Sequence, residues 1–280
     1  MFSRLTGLCL GLAMAGATAQ AEPSLDRGRY LVEGPAGCGN CHTPMGPQGP
    51  VMDQNLAGRL VDKNPAFTAI APNITPAGAV AGWSDAELAR AIREGLRPDG
   101  TIIGPPMPFA MYRGLSDDDL MSMVMYLRTV PTVENDPGKS TYNIPLPPAY
   151  GPPVDSVPHP QQAVTVEYGA YLAGPVSHCM ECHTPMGEKG PMLDSHLGAG
   201  GFEFHGPWGT SVAANLTSHE DGLAGYTDAE LADMIVKGVR PDGSQMLPPM
   251  PYGYFSQMTG DDLSAVILYL RSLAPLPDAG

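Results

Sequence analysis

The chain repeats itself. "GRYLVEGPAGCGNCHTPMGPQGPVMD", beginning at Gly28, returns from Gly169 as "GAYLAGPVSHCMECHTPMGEKGPMLD", at a constant offset of 141 residues. Further on, "APNITPAGAVAGWSDAELARAIREGLRPDG" answers to "AANLTSHEDGLAGYTDAELADMIVKGVRPDG", "PPMPF" to "PPMPY", and "DDLMSMVMYLR" to "DDLSAVILYLR". A unit of about 110 residues is far longer than a solenoid repeat and has the size of a small domain. The expected division is residues 22–130 and 161–280 as two domains, with residues 131–160 as a linker. That linker holds nine prolines, which makes it extended and semi-rigid, a strap lying against the domains rather than a loose tether.

Helix signals recur in both copies. Ser84-x-x-Glu87 and Thr227-x-x-Glu230 are capping boxes, each opening a run of helical periodicity that ends at Gly95 or Gly238. Ser116 with Asp119, and Thr259 with Asp262, begin a second helix. Its apolar face is Leu120, Met123, Val124 and Leu127 in one copy, and Leu263, Val266, Ile267 and Leu270 in the other. Tyr30-Leu31 and Tyr171-Leu172 mark a short helix before each cysteine cluster. No useful alternating strand pattern is visible, so an all-α fold of small, loop-rich domains is expected.

The formal net charge is −14, and no basic stripe is present, which excludes a nucleic-acid partner and suits docking to a basic protein surface. Arg4, the apolar run from Leu5 to Ala17, and Ala19-Gln20-Ala21 have the form of a cleaved export signal over residues 1–21. The mature chain is then expected in the periplasm with no transmembrane span, and Cys9 leaves with the signal.

Four cysteines remain: Cys38, Cys41, Cys179 and Cys182. Cys-x-x-Cys alone is shared by redox dithiols, zinc sites and disulfides. A histidine directly after each pair, His42 and His183, changes the reading. Two thiols one helical turn apart can add across the two vinyl groups of a haem, and the adjacent imidazole then reaches the iron from the same side. Zinc would require both pairs to converge on one ion, whereas each pair lies in its own copy. Two covalently bound c-type haems are therefore expected.

A sixth ligand must come from elsewhere. Of the methionines, two pairs coincide across the repeat, Met45 with Met186 and Met107 with Met250. Met45 and Met186 follow their histidines by three residues and stay on the near side of the ring. Met107 and Met250 follow by 65 and 67 residues and stand in Pro-Pro-Met-Pro, where flanking prolines stiffen the loop. These two are the expected axial thioethers. His159, His196, His205 and His219 are read as solvent-facing loop residues, and His178 as the one placed to touch a haem edge. Asn73/Asn215, Thr75/Thr217 and Arg97/Arg240 are candidates for propionate contacts, although turn formation explains "RPDG" as well.

With these motifs in view, the sequence resembles the dihaem cytochrome c proteins related to the cytochrome subunits of bacterial membrane-associated alcohol, gluconate and aldehyde dehydrogenases. The resemblance spans essentially the whole mature chain. It implies two tandem class I cytochrome c domains joined by the Pro-rich linker, with His42/Met107 and His183/Met250 as axial pairs. Those subunits usually carry three such domains and a membrane-associating tail; here the second copy is followed only by "APLPDAG". The function implied is electron transfer, not catalysis. Single electrons would pass from a periplasmic or membrane-associated dehydrogenase to another cytochrome c or a terminal oxidase. The competing class is a dihaem redox enzyme, a peroxidase or a sulfur-compound-oxidising cytochrome, which needs one iron to shed a ligand. The near-identity of the two methionine loops speaks against that division of labour.

Overall fold

The first repeat opens with helix α1 (Leu25–Glu33), begun by Ser24, whose hydroxyl accepts the Arg27 N–H, and continues into the short α2 (Cys38–His42). This chain is described by a computed structural model covering residues 22–188 and 190–279. The export signal read in residues 1–21 lies outside the described residues. Two miniature strands, β1 (Met45–Gly46) and β2 (Gly49–Pro50), follow, then a hairpin of β3 (Arg59–Lys63) and β4 (Phe67–Ala71). Helices α3 (Asp85–Glu94), α4 (Phe109–Tyr112) and α5 (Asp117–Leu127) complete the copy. The linker contributes β5 (Thr141–Tyr142).

The second repeat runs through α6 (Val166–Tyr171), a π-helical turn containing Pro175, α7 (Cys179–Cys182), β6 (Met186–Gly187) and β7 (Gly190–Pro191). A hairpin of β8 (Glu203–Gly206) and β9 (Gly209–Val212) then precedes α8 (Asp228–Lys237), α9 (Tyr252–Phe255) and α10 (Gly260–Ser272).

The all-α expectation is corrected by these strands. Among the described residues about 33% are helix and about 12% strand, in four small sheets. The alternation is hidden for local reasons. A register shift between Leu60 and Asp62 interrupts the β3–β4 pairing, and β4 turns alanines, Ala69 and Ala71, to the core. Alanine is a poor strand former, so burial and pairing override propensity. The third strand of that sheet comes from the linker, since β5 pairs with β4 through Phe67↔Tyr142 and Thr68↔Thr141.

The helix signals lead to helices. Both capping boxes close in both directions, with the Ser84 and Thr227 hydroxyls accepting the Glu87 and Glu230 N–H groups while each glutamate reaches back to the cap. Each box is worth about 1 kcal/mol. Leu120, Met123, Val124 and Leu127 are buried, as are Val266, Ile267 and Leu270, while Leu263 is only partly covered. In each copy the first helix crosses the last at a glycine. A Cβ on Gly28 would run into the Ser122 carbonyl, and one on Gly169 into the Ala265 carbonyl, so only glycine lets the backbones approach this closely.

The two copies pack against each other through a reciprocal exchange. Tyr171 of the second copy donates to Asp119 Oδ2 of the first at 2.7 Å and accepts the Ser116 N–H at 3.2 Å. Tyr30 of the first copy donates to Asp262 Oδ2 of the second at 2.5 Å and accepts the Thr259 N–H at 3.2 Å. Each tyrosine thus binds the capped start of the other copy's last helix. The exchange is not fully symmetric. Arg27, whose counterpart is Tyr168, forms a two-pronged pair with Asp119 through Nε and Nη2, both at 2.8 Å.

The linker is strapped to the first copy. Tyr142 OH donates to the Pro105 carbonyl at 2.9 Å and Tyr150 OH to that of Ile103 at 2.8 Å, and the Tyr150 ring stacks on Phe109. At its far end His159 enters the interface, with Nε2 3.4 Å from Asp119 Oδ1 and its ring beside Tyr168 and Tyr171. Its side chain is only 4% exposed, so the solvent-facing reading of His159 is corrected. A loop histidine is buried here because a buried carboxylate waits for it.

Candidate cofactor-attachment sites

Cys38 and Cys41 lie one turn apart on α2, with His42 as its last residue; Cys179 and Cys182 lie on α7, with His183 directly after it. Both short helices begin after a left-handed residue, Gly37 in one copy and His178 in the other, which turns the chain sharply into the cluster. All four thiols are free and partly covered. Burial pushes Cys38, Cys179 and Cys182 up to about 12 and raises Cys41. Burial thus favours the protonated form, whereas a dithiol oxidoreductase depends on a pKa pushed down toward the thiolate. Among the described residues no group of three or more His, Cys, Asp or Glu is arranged to hold a metal ion, so the two pairs do not converge as a zinc site demands.

The imidazoles are oriented identically. His42 Nδ1 lies 2.8 Å from the Pro72 carbonyl and His183 Nδ1 lies 2.7 Å from that of Ala214. A carbonyl only accepts, so Nδ1 carries the proton and Nε2 keeps a free lone pair in the neutral ring. Burial lowers both histidines, which keeps them neutral, and the carbonyl bond opposes that shift. A ring held through Nδ1 with Nε2 free is the form a metal-ligating histidine takes. Thr43 and Thr184, next in each chain, are fully buried; their hydroxyls accept the Leu56 and Gly198 N–H groups and tie the cluster to the following loop.

Met107 and Met250 occupy matching loops just before α4 and α9, each after a cis peptide between paired prolines. The Phe109 N–H donates to the Met107 carbonyl at 2.9 Å, and the Tyr252 N–H to that of Met250 at 3.0 Å. Both methionines are partly buried, whereas Met45 and Met186 are 53% and 51% exposed. The four cysteines and two histidines form two matching clusters that could each hold a covalent cofactor, and Met107 and Met250 stand on matching loops of the two copies.

The propionate candidates make local hydrogen bonds. Asn73 Nδ2 donates to the Val133 and Asn135 carbonyls and Asn215 Nδ2 to that of Leu276, so both anchor the segment that leaves their copy. Arg97 and Arg240 reach the Ile102 and Gln245 carbonyls of their own loops. What the sequence reading missed lies across the interface. The Tyr112 hydroxyl of the first copy sits 3.5 Å from its own Ala36 carbonyl, and the ring meets His178 of the second edge-on, with centroids 5.9 Å apart. Tyr254 of the second copy covers Gly39, between Cys38 and Cys41, and a side chain there would collide with its hydroxyl. Glu181, also between the copies, is raised to about 7 by burial; its charge is felt at both Cys41 and Cys182. Cys41 of one cluster is itself felt at Cys182 of the other.

No protein-family model matches the chain. Its homologues are cytochrome c subunits of alcohol, fructose and gluconate dehydrogenases, together with a diheme cytochrome c, at 26–29% identity over most of the chain. The cytochrome c subunit of alcohol dehydrogenase (quinone) from Gluconobacter oxydans is 29% identical over 92% of this chain. The fructose dehydrogenase cytochrome subunit of Gluconobacter japonicus is 26% identical over 98% of it, and the diheme cytochrome c-type protein of Cereibacter sphaeroides 27% identical over 84%. The chain spans 56% and 60% of the length of the first two relatives and 81% of the third.

Proposed function

We propose that this protein is a dihaem electron carrier of the periplasm. It would take single electrons from a dehydrogenase, as subunit or soluble partner, and pass them to another cytochrome c or a terminal oxidase. The observation that carries the reading is the duplicated cluster, two thiols and an imidazole with a free Nε2, in each copy. The names of the relatives support it, and among the described residues no helix is long and apolar enough to cross a membrane.

When bound, each haem supplies one reversible one-electron couple. Cys38 and Cys41, and Cys179 and Cys182, hold it through thioether bonds. His42 and His183 ligate through Nε2, oriented and made more basic by the Pro72 and Ala214 carbonyls. Met107 and Met250 would each supply a thioether from loops stiffened by flanking prolines. Tyr112 and His178 meet edge-on between the copies, with Glu181 buried nearby.

The test is the optical response of the reduced protein to carbon monoxide. Two low-spin spectra unchanged by the gas are expected. Binding at either site would reveal an iron open to substrate and would favour the enzyme class.

A further inference from the structure

We propose that Arg59 makes the two sites unequal, holding the site of the first copy at the higher potential, so that a single electron entering the protein comes to rest there. The inference deepens the carrier reading and rests on it. Hydrogen bonds fix which residues correspond. The Gly58 N–H donates to the His42 carbonyl at 2.6 Å, and the Gly200 N–H donates to the His183 carbonyl at 2.9 Å. The next residue is Arg59 in one copy and Gly201 in the other.

The Arg59 guanidinium is held against the cluster. Nη2 donates to the Asn40 carbonyl, inside the Cys-x-x-Cys turn, at 2.9 Å, and Nη1 to the Leu60 carbonyl at 3.2 Å. Its Nε is buried without a partner, and no carboxylate among the described residues pairs with it. The charge is therefore fixed in place and not neutralised. It is felt at both Cys41 and His42, whereas among the described residues no charged side chain acts in this way on His183. The second copy has no room for a counterpart. Gly201 has φ +86°, and a Cβ there would press on the Ala279 carbonyl at 2.8 Å.

Two carboxylates enter the balance, and neither acts on His42, where Arg59 is the charge that is felt. Glu181 is felt at both clusters and so does not separate them, and at Cys41 the opposing Arg59 charge weighs more. Glu33 lies towards Cys38, with its carboxylate occupied by Asn55 Nδ2 at 3.0 Å and Tyr126 OH at 3.1 Å. A cation beside an iron favours the ferrous state, which carries one positive charge fewer, and poor solvation strengthens the effect.

Spectroelectrochemical titration of the holoprotein tests this, with haem content read from the intact mass. Met107→His and Met250→His each lower the step of their own copy and so assign the two steps. In the wild type the upper step is expected to follow Met107. Arg59→Gln is expected to lower that step by about tenfold in its reduction equilibrium, about 59 mV for one electron, and to leave the lower step in place. Arg59→Lys, which keeps the charge, is expected to stay near the wild type. An upper step that follows Met250 overturns the inference without any Arg59 variant. So does an upper step unmoved by Arg59→Gln, or lowered as far by Lys as by Gln. Fewer than two haems per chain would overturn the carrier reading and this inference with it, whereas two haems with the order reversed would overturn the inference alone.

Discussion

In the first copy His42 and Cys41 stand beside a fixed guanidinium, and Asp119 is held by Arg27, Tyr171 and His159. In the second copy the residue matching Arg59 is glycine, and Asp262 receives one side-chain hydroxyl from across the interface, that of Tyr30. The attachment residues match atom for atom while their surroundings differ. Duplication supplied two equivalent thiol–imidazole clusters, and substitutions at a few flanking positions made them distinguishable. What is shared is what the chemistry of attachment requires. What differs sets potentials and holds the copies together.

The comparison breaks most visibly at the cysteines. Replacing Cys38 and Cys41 together by serine, or Cys179 and Cys182 together, is expected to remove one covalent haem in either case, halving the absorbance of the pyridine haemochrome. A doubly substituted copy that kept its covalent haem would show that the thiols are not the anchors. Next come the methionines. Met107→His or Met250→His should lower the potential of its own site by tenths of a volt, part of the roughly 0.8 V range that axial ligands command, and leave the other site nearly unmoved.

The interface gives a smaller and unequal pair. Asp119→Asn leaves Arg27 buried without its carboxylate partner and should destabilise the protein by about 3–5 kcal/mol. Asp262→Asn disturbs one tyrosine hydroxyl and should cost about 1–2 kcal/mol, both read from denaturant melts of the holoprotein. Equal costs would remove the asymmetry claimed for the interface. The pH dependence sharpens the same point. His159 is raised, chiefly by its bond to Asp119, so its contribution is complete below the ordinary histidine value of about 6.5 and is lost as pH rises through the raised value. Asp119 is held well below the usual carboxylate range by Arg27, His159 and Tyr171 against the opposing effect of burial. Its contribution is present above about pH 4 and is lost as pH falls through the lowered value. Stability should therefore be greatest in mildly acidic solution, and the decline as pH rises through the raised His159 value should disappear in His159→Gln.

The sequence was informative wherever the message is local. The two Cys-x-x-Cys-His clusters, the capping boxes and the Pro-Pro-Met-Pro loops each lie within a few residues, and each is found at matching places in the two copies. The small sheets were missed because alternation is broken by the shift at Leu60 and Asp62, by alanines facing inward, and by a third strand supplied from a linker more than 60 residues away. Tyr30 and Asp119 read as ordinary helix and cap residues. Their second role appears only once the copies meet, as does the burial of His159. Arg59 gave no motif at all. Its meaning comes from a hydrogen bond to the Asn40 carbonyl and from the glycine that occupies its place in the other half.

The most direct measurement is the intact mass of the chain purified from a host able to attach c-type haem. The account predicts the polypeptide plus two haem masses, retained after denaturation and falling to one when either cysteine pair is replaced. A mass equal to the bare polypeptide, or to a chain with two disulfides, would contradict it.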